Sequence, residues 1–278
     1  MAVDMTPEEL ARHLQVLDRS SDREQVAASA VALAASGDNT ALLELAKRLG
    51  KADFLNRLDD TQDPSTDITN LSGVFGALTS NPSAASARMC ELVYPEPDFQ
   101  EVPVRINLLL GALAAVKPLS PEGAEIFRDA SAQGFAEVAG PLLINNESLP
   151  ALRVFEEIIA GGWVESYVKV DILHRSVLPK RTDLPVLRSC ERMLAAPPDD
   201  QVREGIVETL FDYRSREWFG PALQPPAPPP WESASTEALR FLIELARKVE
   251  SLPVSERLHT VVRAERARIE MILAARAQ

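Results

Sequence analysis

Residues 149–160, Leu-Pro-Ala-Leu-Arg-Val-Phe-Glu-Glu-Ile-Ile-Ala, and residues 184–195, Leu-Pro-Val-Leu-Arg-Ser-Cys-Glu-Arg-Met-Leu-Ala, carry one pattern twice. Leu149, Pro150, Leu152, Arg153, Glu156 and Ala160 recur as Leu184, Pro185, Leu187, Arg188, Glu191 and Ala195, at an offset of 35 residues. That offset is the length of one helix pair. In a stacked helical array each unit buries its apolar face only against the next, so the same pattern returns once per unit. A third copy lies further along, where Ala238-Leu239-Arg240 and Glu244 align with Ala151-Leu152-Arg153 and Glu157. The repeat specifies an architecture more clearly than a chemistry.

Start and stop signals extend the pattern in both directions. Thr6-Pro7-Glu8-Glu9 reads as an N-cap with Pro at the first helical position, and Ser21-Asp22-Arg23-Glu24 as a second capping box. Helices are expected over 6–17 and 21–35, the second closed by Ser36-Gly37. A third, capped by Asn39, runs to Leu49, with Gly50 placed for a left-handed terminus. A short fourth covers 51–58. Thr66 or Asp67 opens the next, to Leu78, and Asn81-Pro82 opens another, to Tyr94. Tyr94-Pro-Glu-Pro-Asp98 reads as a loop. Val104, Ile106, Leu108, Leu109, Leu110, Leu113 and Val116 leave little polar face, so their helix should be covered on most sides. Ser120-Pro121 caps its successor, and a helix over 135–144, disturbed by Gly140-Pro141, precedes helices near 149–160, 163–176, 184–195 and 200–213. The period then breaks at Gly220-Pro-Ala-Leu-Gln-Pro-Pro-Ala-Pro-Pro-Pro-Trp231, where missing amide donors forbid helix and central strand. The last helix, 255–277, has one apolar and one charged side, as a terminal helix should. No segment shows the period-2 alternation of a half-buried strand.

Asp and Glu number 41 against 29 Lys and Arg, giving a formal net charge of −12. Such a chain repels nucleic acid and anionic membrane surfaces and attracts basic partners. No apolar run reaches the ~18 residues of a membrane span, and the N-terminus shows no signal-peptide pattern, so a cytoplasmic location is expected. Cys90 and Cys190 are the only cysteines, and Cys190 occupies a core-facing repeat position, which reads as a free buried thiol. Arginine outweighs lysine and alanine is abundant, a bias of GC-rich bacterial genomes.

Helix pairs of ~35–40 residues, with Pro near a helix start and apolar positions at i, i+3, i+4 and i+7, resemble HEAT or armadillo repeats over most of the chain. The resemblance implies an all-α fold: an α-solenoid of antiparallel helix pairs, wound as a right-handed superhelix. It makes residues 1–278 a single helical-repeat domain with a proline-rich excursion at 220–231. Proteins similar to this bind peptides, protein surfaces or nucleic acid on a concave face lined by the second helix of each pair. A minority are enzymes, including DNA glycosylases with a basic concave surface, an activity that the charge of −12 argues against.

Chemical motifs are few. Asp59-Asp60-Thr61-Gln62-Asp63 matches the DDxxD pattern with which isoprenoid synthases hold magnesium and a diphosphate. Pro64 follows at once and aromatic residues make up only 5% of the chain, so the motif reads as a solvated acidic turn. His13, His174 and His259 are far apart, outside any zinc-ligand spacing, and are expected at the surface or its boundary. No nucleophile elbow, phosphate-cradling Gly-rich loop or Cys-x-x-Cys is present. No catalytic residue, metal ligand or cofactor is assigned.

Five residues are candidates for partner contact. Trp218, Phe219 and Trp231 bracket the proline segment, where a stiff loop would present aromatic anchors; the alternative is that the rings fold back and fasten the loop. Arg153 and Arg188 recur in register, either as guanidinium groups offered to a partner or as a ladder meeting Glu156 and Glu191 of neighbouring units. The expected function is a non-enzymatic interaction or scaffold protein that binds a basic protein or peptide, and neither nucleic acid nor membrane. Its most specific form is an immunity-type inhibitor of a basic toxin, captured by charge steering. The alternative class is an enzyme whose small-molecule or nucleic-acid site is assembled across repeats.

Overall fold

A computed structural model describes residues 5–59, 69–212 and 231–277, and every regular element among them is helical. The chain divides into two compact units, Met1–Phe135 and Ala136–Gln278.

The first unit holds α1 (Pro7–Arg19), α2 (Arg23–Ser36), α3 (Asn39–Leu49), α4 (Ala52–Leu58), α5 (Thr69–Ser80), α6 (Ala84–Val93), the single turn α7 (Pro97–Gln100), α8 (Pro103–Ala115) and α9 (Pro121–Ala130). Its helices start where chemistry supplies partners for the first amides. Thr6 Oγ1 accepts from the Glu9 amide at 3.2 Å while the Thr6 amide donates to Glu9 Oε2 at 2.9 Å, a complete capping box. Ser120 Oγ accepts from the Gly123 amide at 3.0 Å, and proline occupies the first turn of α1, α7, α8 and α9. Helix α2 packs on α5 and α5 on α8, while α3 packs on α6 and α6 on α9. None of the residues 104–115 of α8 is exposed, as its apolar run required.

Several sequence expectations need correction here. Asp22, not Ser21, caps α2, because its carboxylate reaches two amides, Glu24 at 3.0 Å and Gln25 at 3.4 Å. Asp38 rather than Asn39 caps α3, and Ser83 rather than Asn81 caps α6. Gly37 (φ 68°) takes the left-handed terminus, whereas Gly50 (φ −77°) stays right-handed. Pro97 does not end helical structure but starts a turn, α7, since its missing amide is not needed there.

The second unit holds α10 (Ala136–Asn146), α11 (Leu149–Ala160), α12 (Ser166–Val177), α13 (Leu184–Ala195), α14 (Asp200–Phe211), α15 (Thr236–Val249) and α16 (Glu256–Arg276). Helices α11 and α13 begin and end on the residues of the quoted repeat. Each helix packs on the second one along: α10 on α12, α12 on α14 and α14 on α16, and likewise α11 on α13 and α13 on α15. Two glycines permit the closest approaches. A Cβ on Gly140 would fall 2.5 Å from Ile172 Cγ2, and one on Gly205 would fall 2.7 Å from Val170 Cγ2. Gly140→Ala and Gly205→Ala should each cost about 1–3 kcal/mol through overpacking, although alanine is the better helix former. Denaturant midpoints check this; unchanged midpoints would mean that α12 is not held this tightly.

Candidate functional site

The three repeat copies occupy equivalent positions in detail. Leu152, Leu187 and Leu239 are buried, as are Ala151, Val186 and Ala238 before them, and Arg153, Arg188 and Arg240 are exposed after them. Phe155, Cys190 and Leu242 share the next inward position. The ladder expected of the charged residues exists with different members. Glu156 of α11 is held by Arg192 of α13, whose Nη2 lies 2.6 Å from its Oε1, and by Ser189 Oγ at 2.8 Å. Glu191 of α13 meets Lys248 of α15. Arg188 reaches Glu237 of α15 at 3.6 Å, whereas Arg153 turns back to Glu156 of its own helix at 3.0 Å. Both guanidinium groups stay more than half exposed, so these pairs contribute little beyond register.

Trp231 is 0% exposed. Its indole N–H donates to Glu265 Oε2 at 2.7 Å, and the Arg181 guanidinium stands 5.6 Å from its ring centroid. Arg276 adds bonds to the carbonyls of Ala234 at 2.8 Å and Glu232 at 2.6 Å. Trp231 therefore fastens residues 231–234 to α16 and presents no surface for contact. Trp218 and Phe219 lie outside the described residues.

The face formed by α10, α12 and α14 is rich in carboxylates. These helices and their caps carry eight acidic residues against Lys169, Arg175 and Arg203. Arg175 bridges Asp171 at 2.7 Å and Glu137 of α10 at 3.8 Å; Arg203 pairs with Asp200 at 2.5 Å. Arg257 of α16 clamps Glu208 and Asp212. Burial pushes the Glu208 carboxyl above its ordinary range, partly offset by Arg257. Asp199 caps α14 through the Val202 amide at 2.8 Å and accepts from Ser166 Oγ at 2.5 Å. Burial alone would raise its carboxyl, but the Ser166 hydroxyl, the Val202 amide and Lys169 together hold it below the usual range.

Two exposed aromatic residues at the entry to α12 were not among the sequence candidates. Trp163 and Tyr167 are each 52% exposed. Sequence reading placed Trp163 inside a helix, but α12 starts only at Ser166, which leaves the indole in the turn after Gly161-Gly162. The signal was present: Tyr167, Asp171 and Arg175 are spaced by four, so tyrosine falls on the polar ridge of α12, opposite Val170, Leu173 and Val177.

Elsewhere the described residues offer little chemistry. Asp59 is buried rather than solvated, because its carboxylate accepts the amides of Asn70 at 3.1 Å and Leu71 at 3.3 Å and so caps α5. The rest of that acidic motif lies outside the described residues. His13 and His259 are half-buried, while His174 is buried, which lowers its pKa and corrects the expected boundary position. Among the described residues no three His, Cys, Asp or Glu side chains cluster as metal ligands, and no helix is long and apolar enough to cross a membrane. A cavity of about 680 Å³ opens beside Leu43, Lys47, Gly50, Lys51, Leu92 and Glu96. Cys90 and Cys190 are free and buried, and burial pushes both thiols up to about 12. Native protein should therefore resist alkylation at mildly alkaline pH and yield both thiols only on unfolding; prompt labelling of either would contradict its burial.

No family model matches the chain, no curated protein matches its sequence and no solved structure matches its fold.

Proposed function

We propose that the chain is a helical-repeat protein of HEAT or armadillo type that holds a basic protein or peptide on the face built by α10, α12 and α14. The packing of each helix on the second one along supports the solenoid reading, since stacked pairs place alternate helices in two rows. The observation that carries the partner's chemistry is the excess of eight carboxylates over three cations on α10, α12, α14 and their caps, three of the four helices in one of those rows, within a chain of net charge −12. An immunity-type inhibitor of a basic enzyme is one form of such a protein.

The test is fluorescence anisotropy with two labelled peptides of equal length, alternating Gly with Arg in one and Gly with Glu in the other. Only the Arg peptide should bind, with an affinity that falls as salt rises. Glu137→Gln combined with Asp200→Asn should weaken it further; the Asp200 side chain is 90% exposed, so stability should change little. Equal binding of both peptides, or none of either, would overturn the reading.

A further inference from the structure

Trp163 has a seat of its own. Gly161 adopts φ −63° and ψ 146°, extended backbone open to any residue, so conformation does not require glycine there. Space does. A Cβ on Gly161 would fall 2.6–2.8 Å from three indole carbons of Trp163, which means that the ring lies against this glycine. One face of the indole thus lies against Gly161 while half of the residue stays in solvent. An aromatic side chain has few rotatable bonds and so loses little freedom on binding, the property that makes tryptophan and tyrosine dominant anchors at interfaces.

The carboxylates that neighbour Trp163 and Tyr167 along the chain bear on what can lie on these rings. Glu165 is exposed between Trp163 and Tyr167, at the N-terminus of α12. Asp199 is tied to Ser166, next to Tyr167, and Asp200 follows it at the start of α14. Arg203 pairs with Asp200 and the buried Lys169 acts on Asp199, so these two carboxylates are partly offset and Glu165 is the acidic group between the two aromatic residues. Exposed π-faces flanked by carboxylates complement a planar cation, which can stack on a ring and donate to oxygen at once.

Resting on the reading of this face as a binding surface for a basic partner, we infer that Trp163, Tyr167 and Glu165 form the docking point for an arginine side chain of that partner. The guanidinium lies over the aromatic surface with its N–H groups toward Glu165, and Gly161 keeps the indole in place to receive it.

Calorimetric titration of the full chain with the Gly-Arg peptide, and with the same peptide carrying citrulline in place of arginine, tests the inference. Citrulline keeps the size and shape of arginine but removes its charge. The wild type should favour the arginine form by about 10-fold or more. Trp163→Ala and Tyr167→Ala should each weaken arginine-peptide binding by about 10-fold, and Gly161→Ala, which displaces the indole without removing it, should act in the same direction. Helical circular dichroism and melting temperature should be nearly unchanged for the two aromatic variants, because both rings are half exposed. If these variants bind as tightly as wild type while Glu137→Gln with Asp200→Asn weakens binding, the docking point is wrong and the basic-partner reading stands. If wild type does not distinguish arginine from citrulline, both fall.

Discussion

Trp231→Ala is expected to lower stability by about 3–5 kcal/mol, the range for truncating a fully buried aromatic side chain. Three losses combine. The cavity is large, because the whole indole is enclosed. Glu265 loses the N–H that meets it at 2.7 Å, and Arg181 loses the ring beside its guanidinium. Leaving polar groups short of partners in a buried setting adds to the cost of the void. Trp231→Phe refills much of the space but not the hydrogen bond, so it should recover most of the loss and leave about 1 kcal/mol. Equilibrium urea unfolding reads both effects. An alanine variant as stable as wild type, yet weakened in capturing a basic peptide, would return Trp231 to the role of partner anchor.

Leu152→Ala, Leu187→Ala and Leu239→Ala should each cost about 2–5 kcal/mol, since all three side chains are at most 2% exposed. Their equivalence makes the comparison informative. The three leucines hold the same place in α11, α13 and α15, so the penalties should be of similar size despite unlike neighbours in sequence. Arg153→Ala, one residue along the same helix, should cost well under 1 kcal/mol, because its guanidinium is more than half exposed and its ion pair is local. A leucine variant that melts with the wild type would mean that its helix is not packed into this row.

The repeat was legible because burial itself is periodic: Leu152, Leu187 and Leu239 face inward for one reason, and the helices over 149–160 and 184–195 each carry the repeated proline in their first turn. Helix ends were less legible. Asp22 and Ser21, or Asp38 and Asn39, are both competent caps, and only the backbone path decides which side-chain oxygen reaches the free amides. Asp59 shows a related limit: a carboxylate that accepts an amide eleven residues away cannot be told in sequence from a solvated one. Register hid the ladder partners, since Arg192 and Lys248 occupy different turns of their helices and no single offset relates them. Trp163 escaped notice because exposure of an aromatic ring is a tertiary property, although Tyr167 on the polar ridge of α12 carried a readable hint.

Amide chemical-shift mapping of the labelled chain, titrated with the Gly-Arg peptide, compares the two rows of helices directly. Shifts concentrated in residues 161–171 and 199–204 are expected, with those of α11, α13 and α15 unmoved. Shifts centred on Arg153, Arg188 and Arg240 instead, produced by the Gly-Glu peptide rather than by the Gly-Arg peptide, would contradict the assignment of the binding face and the charge of its partner.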